Sequence, residues 1–196
     1  MLKKLLLALS LLLPLAFAAE KAENAETAAN PVVVIETTEG NIVVELFAQE
    51  APLTVANFLA YVESGHYADT IFHRVISNFM IQGGGFTEDF TQKATQDPVK
   101  NESRNRLHNT RGTIAMARTN DPDSATSQFF INQRSNLQLD WAPGRQGYTV
   151  FGEVLEGMDV VDFIATAPTG KRGRFSDVPV DTITIKSITV KPVTAK

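Results

Sequence analysis

The chain has 196 residues, with 22 acidic against 18 basic side chains, a formal net charge of −4 and no cysteine. An acidic balance argues against general nucleic-acid binding, which needs clustered Lys and Arg to neutralise phosphates. The one basic run, KRGR at 171–174, reads as a solvated loop. Without thiols there is no disulfide, zinc–thiolate centre, cysteine nucleophile or anchor built on a lipid-modified cysteine.

Met1, Lys3 and Lys4 precede an apolar run over residues 5–15, followed by Ala16-Phe17-Ala18. A positive start, an apolar middle and an A-x-A ending read as a secretory signal peptide, residues 1–18, cleaved after Ala18. The run is too short for the roughly 20 apolar residues of a transmembrane helix, so no stable membrane insertion is expected. Export places the mature protein in the periplasm of a double-membrane bacterium, or outside a single-membrane cell. Residues 19–30, AEKAENAETAAN, combine alanine with charge and read as a flexible leader. Residues 31–196 form one domain, large enough to bury a core.

From Pro31, PVVVIETTEGNIVVELF holds two β-branched runs around Glu39-Gly40-Asn41, a hairpin signal. In APLTVANFLAYVESG, Val55, Phe58, Leu59 and Val62 recur at helical spacing, with Pro52 near the start and Gly65 past the end. DTIFHRVISNFMIQGG follows as two short strands around Ser77 and Asn78. Residues 87–110 are polar and aperiodic and read as long loops. GTIAMART, SQFFINQ and YTVFGEV are strand-like, GMDVVDFIAT reads as a second helix, and DTITIKSITV alternates as the last strand. Many short strands with two helices predict an all-β barrel or sandwich with helical caps.

Three polar residues stand in strand-like text: Arg74, Gln82 and Gln128. Such side chains are seldom core, and an unpartnered buried guanidinium is costly. Strand alternation puts Met80 and Gln82 on one face. Taken alone, an arginine in a strand is more often a solvated residue or a structural ion pair, and Phe79 and Met80 are more often core. GGGF at 83–86 lacks the phosphate-binding GxxxxGK pattern, and its glycines suit a tight turn or close backbone approach. His66, His73 and His108 have no metal-ligand spacing, and Ser124 and Ser127 sit in no GxSxG elbow.

YADTIFHRVISNFMIQGGGFT, then GTIAMART, SQFFIN and YTVFGEVLEGMDVVDFI, resemble in order and spacing the cyclophilins, a family of peptidyl-prolyl cis–trans isomerases. The similarity runs from about Val32 to Val190, and bacterial exported members are the most similar. It implies a mainly β fold, a closed eight-stranded antiparallel β-barrel capped by two α-helices, which periodicity alone does not show. It implies Arg74 as the catalytic residue and a proline pocket of Phe79, Met80, Phe130 and Leu139. Gln82 and Gln128 would hold the substrate backbone and orient the arginine; Ala117 would form the pocket edge, and His73 lies beside the arginine.

Three positions depart from the family pattern. Arg118 stands where many members have asparagine, Gln138 where eukaryotic members have a rim tryptophan, and Tyr148 where the rim histidine is expected. Trp141, three residues beyond Gln138, does not match. The missing rim tryptophan implies weak cyclosporin binding; the resemblance implies proline-containing polypeptides as partners and no cofactor or metal, and a monomer is the default expectation.

The implied chemistry breaks no bond. Twisting an X–Pro amide destroys resonance, which sets a barrier of about 18–20 kcal/mol and makes uncatalysed isomerisation slow enough to limit folding. Catalysis needs the twisted state to bind better than either planar isomer. A guanidinium, always protonated and with donors in a fixed plane, suits the nitrogen lone pair or carbonyl oxygen of that state. A module that binds proline-containing segments without turnover, and a general holdase, are the two other readings of the chain.

Overall fold

The computed structural model describes residues 29–192. The segment read as a signal peptide, and the leader up to residue 28, lie outside the described residues. Asn30 already belongs to the fold, its Oδ1 accepting from the Ala48 N–H at 3.3 Å.

β1 (Val32–Thr37) and β2 (Asn41–Leu46) are the hairpin expected from their β-branched runs, with Val33, Ile35, Ile42 and Val44 facing the core. α1 (Pro52–Glu63) buries Val55, Phe58 and Val62, as its spacing predicts, with Leu59 partly covered. Its N-cap, Ala51, has no side-chain acceptor. The carboxylate of Glu102, in the long loop, takes that role: Oε1 accepts from Leu53 N–H at 3.1 Å and Oε2 from Thr54 N–H at 2.8 Å. A negative group at a helix N-terminus satisfies orphan donors and complements the helix dipole. The aperiodic loop is thereby tied to the helix.

β3 (Thr70–Ile71), β4 (Arg74–Ile76), β5 (Met80–Gly83), β6 (Thr113–Met116), β7 (Phe129–Asn132), β8 (Val150–Glu156) and β11 (Thr184–Val190) complete one antiparallel sheet in the order β3-β11-β1-β2-β8-β6-β7-β5-β4. α2 (Met158–Ala165) follows β8, burying Val161, Ile164 and Ala165. β9 (Thr169–Arg172) and β10 (Phe175–Pro179) form a separate hairpin.

β3 and β4 lie at opposite edges of the nine-stranded sheet, yet only Phe72 and His73 separate them in the chain. Nine strands laid flat at about 4.8 Å spacing would put the edges roughly 40 Å apart. Two linking residues reach about 10 Å. The sheet must therefore curl until its edges nearly meet. The expected closed eight-stranded barrel is corrected on both counts: among the described residues the main sheet has nine strands, and no ladder joins β3 to β4. At the β3 end other segments take the free donors, Ile71 N–H donating to Phe86 C=O and Phe72 N–H to Ile183 C=O, each at 2.9 Å.

The run at 171–174 is solvated, as expected, but it is not an irregular loop. Lys171 and Arg172 end the wholly exposed β9, and Gly173 turns the chain into β10. With no apolar alternation in TGKR, this hairpin carries no strand signal in the sequence. It is held by side chains: Phe175 packs on Phe90 and Phe86, ring centroids 4.8 and 5.2 Å apart, and the Arg172 guanidinium sits 4.6 Å over Phe90.

Inside the curl, Phe58, Tyr67, Phe72 and Phe129 form a contiguous aromatic cluster, with Phe129 edge-on to the other three at 5.6 to 6.3 Å. Phe129→Ala leaves a cavity that its neighbours cannot fill, and is expected to cost about 3–5 kcal/mol of unfolding free energy. Urea denaturation checks this, with the midpoint falling and the slope unchanged.

Candidate active site

The strand alternation that fills the core also builds the site. In β5 to β8, one set of side chains, Ile81, Ile114, Phe129, Ile131 and Phe151, faces the main core. The alternate set, Met80, Ala115, Phe130 and Val150, forms a second apolar cluster on the other side, edged by Phe79, Ala117, Leu139 and Tyr148. Because both sets are buried, apolar residues stand consecutively in these strands, as in Phe129-Phe130-Ile131 and Val150-Phe151. Met80 and Phe79 thus belong to this second cluster rather than to the main core.

Register places the polar groups beside it. Arg74 pairs with Gln82 across β4–β5, and Gln82 with Phe130 across β5–β7, so the three stand abreast on one face. The tight β4–β5 turn depends on Asn78 at φ 56°, a left-handed conformation that asparagine adopts more readily than most residues. Arg74 Nη1 donates to Gln82 Oε1 at 3.5 Å, and Gln82 Nε2 donates to Gln128 Oε1 at 3.0 Å. Gly85 is required here, because an added Cβ would collide with the Gln128 side chain.

A cavity of about 100 Å³ is lined by Arg74, Phe79, Met80, Gln82, Ala117, Arg118, Phe130, Leu139 and Tyr148. A second, more polar cavity of about 310 Å³ shares Gln82, Ala117 and Arg118 with it, and adds Gln128, Gln92, Thr95, Thr119, Ser124 and Thr126. Arg118 stands between the two. Its Nη1 donates to Thr119 C=O and its Nη2 to Gln146 C=O, each at 2.8 Å, while its guanidinium lies 4.4 Å over the Tyr148 ring. The two departures Arg118 and Tyr148 therefore form one stacked unit.

His73 and Gln138 are placed away from both cavities. Gln138 is exposed on a single 3-10 turn, Leu137–Leu139. His73 is buried with its ring 4.8 Å from Phe86, and its Nδ1 has no partner. Burial lowers its pKa to about 4, the Ile71 backbone hydrogen bond opposing and the Arg74 charge adding to the effect. Trp141 packs under Arg104, 5.1 Å from its guanidinium.

The sequence reading missed the polar network that braces the pocket from behind. Asn136 Nδ2 donates to Phe79 C=O and to Asn132 Oδ1, each at 2.8 Å. Asn132 Nδ2 donates to Asn109 Oδ1 at 3.2 Å and to Thr113 Oγ1 at 3.0 Å. The backbone N–H and Nδ2 of Asn109 donate to Asp140 Oδ1 at 2.7 and 3.0 Å. Burial alone would raise the Asp140 pKa, but the donors from Asn109 and His108 hold it below the usual carboxylate range. Asp140 follows Leu139, so this chain of amides links two walls of the cavity, Phe79 and Leu139. Its one sequence signal was Asn132, a buried amide ending the apolar strand FFIN.

The family model described as cyclophilin type peptidyl-prolyl cis-trans isomerase/CLD matches residues 32–190. A peptidyl-prolyl cis-trans isomerase of Acinetobacter baylyi is 52% identical over 174 residues, covering 88% of this chain and 93% of the relative. Peptidyl-prolyl cis-trans isomerase B of Escherichia coli is 52% identical over 162 residues, covering 81% and 99%. A Cryptosporidium parvum cyclophilin, crystallised in the presence of the dipeptide Ala-Pro, superposes with a TM-score of 0.71 at 33% identity, covering 82% of this chain and 99% of that one. The chain belongs to the cyclophilin-type peptidyl-prolyl cis–trans isomerases, and is an enzyme of that class.

Asn132→Ala strands buried partners on both sides and is expected to cost about 1–3 kcal/mol in stability, measured by thermal unfolding. It is also expected to weaken binding of proline peptides, as Phe79 and Leu139 lose their common brace. His73 sets a pH dependence. With a folded pKa of about 4 against an ordinary 6.5, the unfolded chain takes up the proton first as pH falls. Stability from this group is full above pH 6.5, declines towards pH 4, and is lost below, a span on the order of 3 kcal/mol. His66, whose pKa burial also lowers, acts in the same direction. Unfolding of His73→Phe between pH 6.5 and 5 is expected to show a shallower slope than wild type.

Proposed function

We propose that Arg74 accelerates X–Pro rotation by stabilising the twisted amide while the second apolar cluster holds the proline ring. The observation that carries this reading is the position of Arg74 on the lip of a small cavity whose apolar wall is the second cluster. Its Nη1 is steered by Gln82, and the Arg74 side chain makes no other hydrogen bond among the described residues. At about 100 Å³ the cavity has roughly the volume of three waters in the liquid, room for one small ring. As the amide twists, the prolyl nitrogen becomes pyramidal and gains a lone pair, and the guanidinium donors meet that lone pair or the carbonyl oxygen. Phe79, Met80, Phe130 and Leu139 anchor the ring, and Gln82 and Gln128 hold the flanking backbone. Peptides ending in or containing proline fit such a site, and the Ala-Pro dipeptide used with the Cryptosporidium parvum relative supports that substrate class.

The clients follow from the apparent signal peptide over residues 1–18: exported polypeptides refolding outside the cytoplasm, in the periplasm of a double-membrane cell, with the enzyme acting as a monomer. Gln138 in place of the rim tryptophan makes cyclosporin a weak ligand. The deciding experiment is cis–trans exchange of a short X–Pro peptide by NMR with the mature chain. Arg74→Ala is expected to slow enzyme-driven exchange by about 10²-fold or more while peptide affinity changes less. Line broadening from binding without faster exchange, in wild type as in the variant, would leave a binding module in place of a catalyst.

A further inference from the structure

Asp177, on β10, brings its Oδ2 to 3.8 Å from Arg74 Nε. Three features of the hairpin put it there. The β9–β10 register slips between Phe175 and Val178, so the strand is bulged at this point. Asp177 itself has φ 59°, the left-handed region in which a glycine would be less strained. Ser176 Oγ donates to Asp177 Oδ2 at 3.2 Å. Bulges re-aim a side chain, and strained backbone is kept where the surrounding structure holds it. The hairpin is held by Phe175 against Phe86 and Phe90, by Arg172 over Phe90, and by buried Val178.

We propose that Asp177 is a positioning residue for Arg74, an inference that rests on the catalytic reading of that arginine. Both side chains are about two-fifths exposed, so the pair adds little to stability. At 3.8 Å it is an ion pair rather than a hydrogen bond, and it leaves the donors themselves unspent. Its effect is on orientation. Gln82 takes Nη1 and Asp177 attracts the Nε edge, so the guanidinium plane is held from two sides and Nη2 keeps its donors for the twisted amide. A peripheral hairpin thus becomes part of the catalytic apparatus.

The test uses the mature chain and a capped, uncharged Ala-Pro peptide, with NMR exchange for turnover and titration for affinity. Asp177→Asn is expected to lower turnover about two- to fivefold at unchanged peptide Kd, with partial rescue by Asp177→Glu. Raising salt from 0.01 to 1 M shortens the screening length from about 30 to about 3 Å. Wild-type turnover should then fall towards that of Asp177→Asn, whose own turnover stays constant. Asp177→Gly, which relieves the backbone, should match the turnover of Asp177→Asn at equal or higher Tm, separating charge from folding. Wild-type turnover in Asp177→Asn at low salt, with Arg74→Ala inactive, would overturn this proposal alone. Full turnover in Arg74→Ala would overturn it together with the catalytic reading, and a loss in Asp177→Asn that Asp177→Gly restores would assign Asp177 to folding instead.

Discussion

The two-residue period of the β-strand is the constraint on which the site depends. Along β5 to β8, neighbouring side chains must point to opposite sides of the sheet. Because the sheet curls, one side becomes the enclosed main core and the other carries the second, smaller apolar cluster. Phe129 and Ile131 pack inside; Phe130, between them, is delivered to the outside with Met80, Ala115 and Val150. A one-residue slip in β7 would exchange the two sets and remove core and pocket together. Pocket geometry is therefore as strongly specified as the core, without contributing to it.

An apolar surface alone would collect any greasy segment. The rim of this surface carries polar groups, each held by a different physical device. Arg74 and Gln82 are aligned by antiparallel register. Gln128 lies against a glycine that leaves room for it. Arg118 is kept in place by backbone carbonyls and an aromatic face rather than by a carboxylate, so it spends its donors without neutralising its charge. Behind the apolar wall, the Asn136–Asn132–Asn109–Asp140 chain satisfies buried amides with one another, a condition under which a polar network rigidifies instead of destabilising.

The long aperiodic loops take their order from such contacts. Glu102 caps α1, Asn109 joins the network, and Phe86 and Phe90 support the β9–β10 hairpin. These loops contain little backbone ladder, so side chains reaching across the molecule supply most of what holds them. A protein of this class needs a rigid groove for a substrate whose only change is rotation, and the loops are as much part of that rigidity as the sheet.

Much was legible in one dimension. β1, β2, α1, α2 and β11 follow from local periodicity and turn residues, because their partners are near in sequence or their pattern is strong. The motif FHRVISNFMIQGG carried the family, and most residues it implied, Arg74, Phe79, Met80, Gln82, Ala117, Arg118, Phe130, Leu139 and Tyr148, do meet around one cavity. The rest needed the third dimension. Strand number and closure depend on how far two residues can reach across a curled sheet, which no local pattern encodes. β9 has no apolar alternation and exists because aromatic residues from another loop support its neighbour. His73, adjacent to Arg74 in the chain, is buried against Phe86 away from the cavity, while Asp177, more than a hundred residues away, stands beside that arginine. Sequence by itself determined which chemical groups were available and the period on which they repeat. Tertiary structure decided which of them meet, because long-range contacts are set by packing and register rather than by neighbouring residues.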